Sequence, residues 1–168
     1  YNVISGNNLT NNEYGIFLLG SQFNMFRNNK MVDNGQNLIV HGLDPGASTQ
    51  YMDTSNIVNG KPVYYWIEEK NKTVPSDAGY VALTRCTNIT VQNLNLTNNG
   101  QGILLASTID YTITKNNITN NIHGIYLSGS SNNTINENNI AENAGNGIYI
   151  YCSSNNTFSH NNFVNNTN

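Results

Sequence analysis

The sequence predicts an all-β solenoid, a parallel β-helix of about 22 residues per turn with three short strands in each turn. Three observations predict it. The stretch GIYLSGSSNNTINENNIAEN (124–143) returns as GIYIYCSSNNTFSHNNFVNN (147–166) after 23 residues. Apolar residues recur in a few fixed columns, and the positions between them are largely Asn, Thr and Ser.

The first column, position zero, holds Ile16, Leu38, Val81, Ile103, Ile125 and Ile148, at intervals of 22, 43, 22, 22 and 23. The interval of 43 reads as two turns with one disguised. Two residues on stand Leu18, Val40, Leu83, Leu105, Leu127 and Ile150. Ten on stand Phe26, Val91, Ile113, Ile135 and Phe158, with Ile4 from an earlier turn; fifteen on stand Leu9, Met31, Val74, Leu96, Ile118, Ile140 and Phe163. The i, i+3, i+4, i+7 pattern of a helix is absent. Each repeat is instead one I-x-L strand and two single inward points, which stacked copies satisfy by parallel pairing above and below.

The asparagines mark the corners. Thirteen positions on stand Asn7, Asn29, Asn116, Asn138 and Asn161, broken by Leu94; eighteen on stand Asn12, Asn34, Asn99, Asn121, Asn143 and Asn166. Asn tolerates left-handed φ, and like amides stacked along an axis hydrogen-bond to one another. These residues are therefore read as structural. Cys86 and Cys152 fall three turns apart, about 14 Å at strand spacing, and are read as free thiols.

Between 41 and 78 the pattern is interrupted by all three prolines, Trp66 and eight of the seventeen charged residues. HGLDPGAST (41–49) reads as a loop leaving the stack, KPVYYWIEE (61–69) as a strand, and Val74 as the return to column fifteen. The whole chain, 1–168, is read as a single β-helix domain with an irregular excursion at 41–78. Its opening residue is Tyr1 and its two ends lack polar caps, so it is expected to be part of a longer chain or to stack head to tail.

Composition bounds function. Charged residues are 10% of the chain and the net charge is −3, which gives no electrostatic footprint for nucleic acid. No run of apolar residues is long enough to span a bilayer. Eight Asn-X-Ser/Thr sites (Asn8, Asn71, Asn88, Asn95, Asn117, Asn132, Asn155, Asn165) are compatible with a secreted surface and are also what an Asn- and Thr-rich repeat makes by chance.

IVNGKPVYYWIEE (57–69), CTNITVQNLNLTNNGQGILL (86–105) and GIYLSGSSNNTI (124–135) resemble the repeats of NosD-like proteins, also described as carbohydrate-binding and sugar-hydrolysis repeats. The resemblance implies a right-handed parallel β-helix in an extracellular or cell-surface protein, periplasmic in a Gram-negative source. The archetype serves copper maturation. Here the soft and imidazole ligands Met25, Met31, Met52, His41, His123, His160, Cys86 and Cys152 are scattered over separate turns, so no metal site and no cofactor is expected.

Two sets of candidate site residues emerge. Residues between the inward ones of the I-x-L strand point outward: Phe17, Ile39, Ala82, Leu104, Tyr126 and Tyr149, with Leu19 and Tyr151 next in line. Coverage or assembly is expected over Phe17 to Leu104. Tyr126, Tyr149 and Tyr151, with Tyr64 and Trp66 of the excursion, are the candidates for sugar contact. The second set is Lys115, Glu137 and His160, one column on consecutive turns, read as an ion-pair ladder with a catalytic acid–base role as its rival. His123 shares a column with Tyr14, Gln36, Gln101 and Asn146 and reads as a variable corner.

The reading favours a non-catalytic surface scaffold contacting glycan or protein. Two alternatives stay open: a polysaccharide-active domain, hydrolase, lyase or epimerase-like, and a building block that self-associates end to end. Expected partners are a polysaccharide or glycan, further copies, or flanking domains.

Overall fold

The computed structural model describes residues 1–42 and 48–168, so the loop expected over 41–49 falls largely outside the described residues. The chain forms short strands with no α-helix among the described residues. The first stretch contributes β1 (Val3–Ser5), β2 (Asn8–Thr10), β3 (Tyr14–Leu19), β4 (Met25–Arg27), β5 (Lys30–Val32), β6 (Gln36–His41), β7 (Tyr51–Met52) and β8 (Ile57–Val58). The second contributes β9 (Lys61–Ile67), β10 (Lys70–Thr73), β11 (Tyr80–Thr84), β12 (Thr87–Gln92), β13 (Asn95–Thr97), β14 (Gln101–Ala106), β15 (Thr112–Thr114) and β16 (Asn117–Thr119). It ends with β17 (His123–Ser128), β18 (Thr134–Asn136), β19 (Asn139–Ala141), β20 (Ile148–Tyr151), β21 (Thr157–Ser159) and β22 (Asn162–Val164).

Successive turns stack in parallel and in register. Val81 lies beside Ile103, Ile103 beside Ile125, and Ile125 beside Ile148. The ten and fifteen columns do the same: Ile113 pairs with Ile135 and Phe158 follows, while Ile118 pairs with Ile140 and Phe163 follows. Close stacking also explains the Gly before Ile16, Ile103, Ile125 and Ile148. A Cβ on Gly124 would lie 2.4 Å from the Gly147 carbonyl oxygen and 2.7 Å from Ile140 Cγ2.

The corners differ in detail from the sequence reading. The left-handed residue is the one before each ladder position: Asn28, Asn93, Lys115, Glu137 and His160 have φ of 53–57°. The ladder asparagine itself turns its amide inward. The Asn116 backbone N–H and side-chain Nδ2 both donate to Asn138 Oδ1, at 3.0 and 2.9 Å, and Nδ2 also donates to the Val91 carbonyl at 3.0 Å. One side chain thus satisfies two turns at once. Where Leu94 breaks the column, its N–H still donates to Asn116 Oδ1 at 3.0 Å.

The interval of 43 hides a reversal. Asn59 and Gly60, both at positive φ (49° and 79°), close a tight turn that makes β8 and β9 antiparallel, the one such pair among the described residues. Column zero of the second stretch therefore begins with Tyr64, which pairs with Val81, rather than continuing from Leu38. Val74 follows Thr73, which pairs with Thr90, so it falls in column ten beside Val91 and not in column fifteen. The eight-stranded sheet runs β2-β5-β8-β9-β11-β14-β17-β20, with its first three strands opposed in direction to the rest.

The chain is thus two coils, 1–58 and 61–168, with the first folded onto the second. The interior of the second coil holds Val81, Leu83, Ile89, Val91, Leu96, Ile103, Ile113 and their stacked copies. The other face of its sheet, Val63, Tyr65, Tyr80, Ala82, Leu104 and Tyr126, packs with Ile16, Phe26, Met31, Leu38 and Val40 of the first coil. What covers the outer stripe at Ala82 and Leu104 is therefore the first coil. Seam hydrogen bonds run from Asn37 N to Asn98 O at 2.7 Å and from Gly100 N to Leu38 O at 2.9 Å.

Both cysteines are free. Cys86 is buried in the interior of the second coil, whereas Cys152 is exposed at a left-handed corner.

Candidate functional site

The fold-back opens a groove of ≈ 360 Å³ along the seam. Tyr14, Phe17, Leu19 and His41 line it from the first coil, and Gln101 and His123 from the second. Strand alternation in β3 and β6 sends Leu38 and Val40 into the core, and the same alternation leaves Phe17 and Leu19 outside, 52% and 65% exposed. Ile39, on that outer side of β6, is buried against the Gly100 backbone.

An aromatic lane continues from the groove along the second coil. The His123 ring lies 5.8 Å from Tyr126 and 5.4 Å from Tyr149, and the two tyrosine rings stack at 4.8 Å and 17°. Tyr14 and Phe17 form a tilted pair at 5.7 Å on the facing wall. Tyr126 is buried and Tyr149 half-buried, so the lane presents Tyr149 and the His123 edge rather than the whole patch. Burial pushes the Tyr126 phenol up, and the phenols of Tyr149 and Tyr151 add to it. Burial holds His123 below its ordinary value, His41 acts in the same direction, and a hydrogen bond with Asn146 opposes both.

The other candidates lie apart. Tyr64 and Trp66 point inward and pack against the interior of the second coil. They meet edge to face at 6.0 Å, with Lys72 over Trp66 at 5.7 Å and the Tyr64 hydroxyl donating to Asp77 at 2.9 Å. Tyr151 pairs in register with Ser128, one strand position beyond Ile150. Lys115, Glu137 and His160 occupy stacked left-handed corners; Lys115 Nζ lies 3.6 Å from Glu137 Oε2, both exposed. A pair so solvated contributes little.

Sequence reasoning missed Tyr14, His41, Gln101 and His123 as one site. Three of these four, Tyr14, Gln101 and His123, belong to the column read as a variable corner. The signal was present in Asn59-Gly60, whose hairpin turn sets that column of the first coil opposite its own continuation in the second.

The comparisons agree with this geometry. No curated protein and no solved structure matches the chain. A family described as right handed beta helix region matches residues 54–168, which contain the whole second coil. With stacked parallel strands at a 22-residue period and that match over more than half its length, the chain belongs to the right-handed beta helix family.

Proposed function

We propose that this β-helix is a non-catalytic scaffold that binds glycan in the seam groove. The observation that supports the reading is the exposed aromatic wall of Tyr14 and Phe17 lining an open groove with His123, whose ring lies 5.4 Å from that of Tyr149. Pyranose rings offer an apolar face and a rim of hydroxyls. Aromatic rings suit the face, and His41 and His123 suit the rim. A contiguous exposed apolar patch on a solenoid otherwise invites aggregation.

Binding is favoured over hydrolysis because the described residues lining this groove include no carboxylate, whereas glycoside hydrolysis calls for a pair flanking the bond. Neutral oligosaccharides titrated into labelled protein should shift the His123 and Tyr149 signals. Phe17→Ala and Tyr149→Ala should each weaken that binding severalfold with little change in thermal midpoint, since both side chains are at least partly solvated. Unchanged affinity in the double variant, or release of reducing ends by the native protein, would refute the reading.

A further inference from the structure

The chain carries four Asn-Gly pairs: Asn34-Gly35, Asn59-Gly60, Asn99-Gly100 and Asn146-Gly147. Such a pair is chemically labile. The glycine presents a peptide nitrogen unshielded by any Cβ, placed to close a five-membered ring on the asparagine amide carbon. What each pair does depends on whether the fold leaves that nitrogen free.

In three of the four it is engaged. The Gly35 N–H donates to the Asn12 carbonyl at 2.9 Å, Gly100 N–H to Leu38 at 2.9 Å and Gly147 N–H to Asn168 at 3.0 Å. Asn34 and Asn99 are also buried in the inner ladder, and Asn146 is half-buried. The remaining pair differs in both respects. Asn59 and Gly60 are exposed, and the Gly60 N–H has no hydrogen-bond partner among the described residues. The tight turn that demands positive φ at both positions is what leaves this nitrogen outside the ladder.

The side chain at this turn is also activated. Asn59 Oδ1 accepts from Asn37 Nδ2 at 3.2 Å. Asn37 is fully buried, and its own Oδ1 accepts from Asn34 Nδ2 at 2.9 Å, which fixes the direction of the donor. A fixed donor on a carbonyl oxygen stabilises the oxyanion that forms when the carbon is attacked. Asn34 Oδ1 also accepts, from Asn12, but its Gly35 nitrogen is taken. Asn99 Oδ1 is buried with no partner among the described residues. Only Asn59 combines a free nitrogen, an oriented donor and access to solvent.

We propose that Asn59-Gly60 is a self-modification site, which closes a succinimide in the folded protein. The Gly60 N–H gives its proton to hydroxide, and the nitrogen attacks Asn59 Cγ. The Cγ–Nδ2 bond breaks, and ammonia leaves with a proton from water. A second water opens the ring at either carbonyl, giving aspartate or isoaspartate at 59. Asn37 stabilises the oxyanion of the first step. A pocket of ≈ 130 Å³ shared by Asn59 with Lys61, Gly79, Asn95 and Thr97 has room for the water. Isoaspartate routes the chain through Cβ and adds a backbone atom to the turn between paired Val58 and Lys61. The modification therefore acts on the one link that folds the first coil onto the second, and loosens the seam with time.

The test is incubation of the native protein in mildly alkaline, oxygen-labelled water, with conversion at each Asn-Gly pair followed by peptide mapping. Asn59 should convert at least about tenfold faster than Asn34, Asn99 or Asn146, take up solvent oxygen, and yield both aspartate and isoaspartate. In urea the four rates should converge. Asn37→Leu should slow Asn59 about tenfold, the loss of one oriented donor, and leave Asn146 unchanged. Asn59→Gly, which suits the turn, should abolish the modification, and its thermal midpoint should hold during the incubation while that of the native protein falls. The proposal is overturned if Asn59 stays intact in the native protein, or if another of the four pairs converts first. Aspartate without isoaspartate would mean direct hydrolysis of the amide and would also overturn it. Should Asn37→Leu fail to fold, the ranking of the four native rates decides alone.

Discussion

The ring of Tyr126 lies 4.8 Å from that of Tyr149 and within 17° of parallel, yet one is buried and the other half-open to solvent. The stack marks where the first coil stops covering the second. The Tyr126 hydroxyl is buried and has no hydrogen-bond partner among the described residues. Removing it should relieve a desolvation cost of about 1–3 kcal/mol. Tyr126→Phe is therefore expected to raise the thermal midpoint, while Tyr126→Ala, which empties a packed site, should lower it. Scanning calorimetry of both variants checks this.

The inner and outer asparagine ladders should respond differently to truncation. Asn121 is fully buried, accepts from the Asn99 N–H at 3.0 Å and donates to the Leu96 and Thr119 carbonyls. Asn121→Ala strands these groups without water and should cost about 2–4 kcal/mol. Asn117, also in a ladder between Asn95 and Asn139, is exposed, and its truncation should cost under about 1 kcal/mol. Urea unfolding of the two variants gives the comparison, and equal losses would mean that the inner amides carry no special burden.

Acid should loosen the seam through His123. Its folded pKa lies below the unfolded value of 6.5, so the unfolded chain takes up the proton first. The contribution is fully present above 6.5, falls as pH drops from 6.5 toward the folded pKa, and is constant below it. His123→Gln should flatten that part of the curve between about pH 8 and about pH 5. Thermal midpoints across that range report it, and parallel curves for the two proteins would contradict the assignment.

The two thiols should be told apart by reagent. Burial pushes the Cys86 thiol up and keeps it from solvent, whereas Cys152 is exposed. A thiol reagent should modify Cys152 in the native protein and both in denaturant. Rapid native labelling of Cys86 would show that the second coil opens locally.

The coil itself was legible because a 22-residue period repeats the same inward residues, and Ile103, Ile125 and Ile148 do lie beside one another. The fold-back was not. Both coils use the same column spacing, so the interval from Leu38 to Val81 fits two turns of one stack as well as a reversal. Tyr64 and Tyr65 alternate either way, and only pairing partners decide which faces which core. The groove was hidden for the same reason: Phe17 and His41 meet Gln101 and His123 through tertiary packing, with no pattern local to either strand.

The two-residue reversal at Asn59-Gly60 makes the molecule extensible without loss of its sites. Adding one 22-residue repeat beyond Tyr149 would lengthen the second rod by about 4.8 Å and displace nothing in the core shared with the first. The groove draws its second-coil wall from Gly100 to His123, with Tyr149 beyond it, so rod length past that ring and recognition can be set separately, like the shaft and the head of a tool.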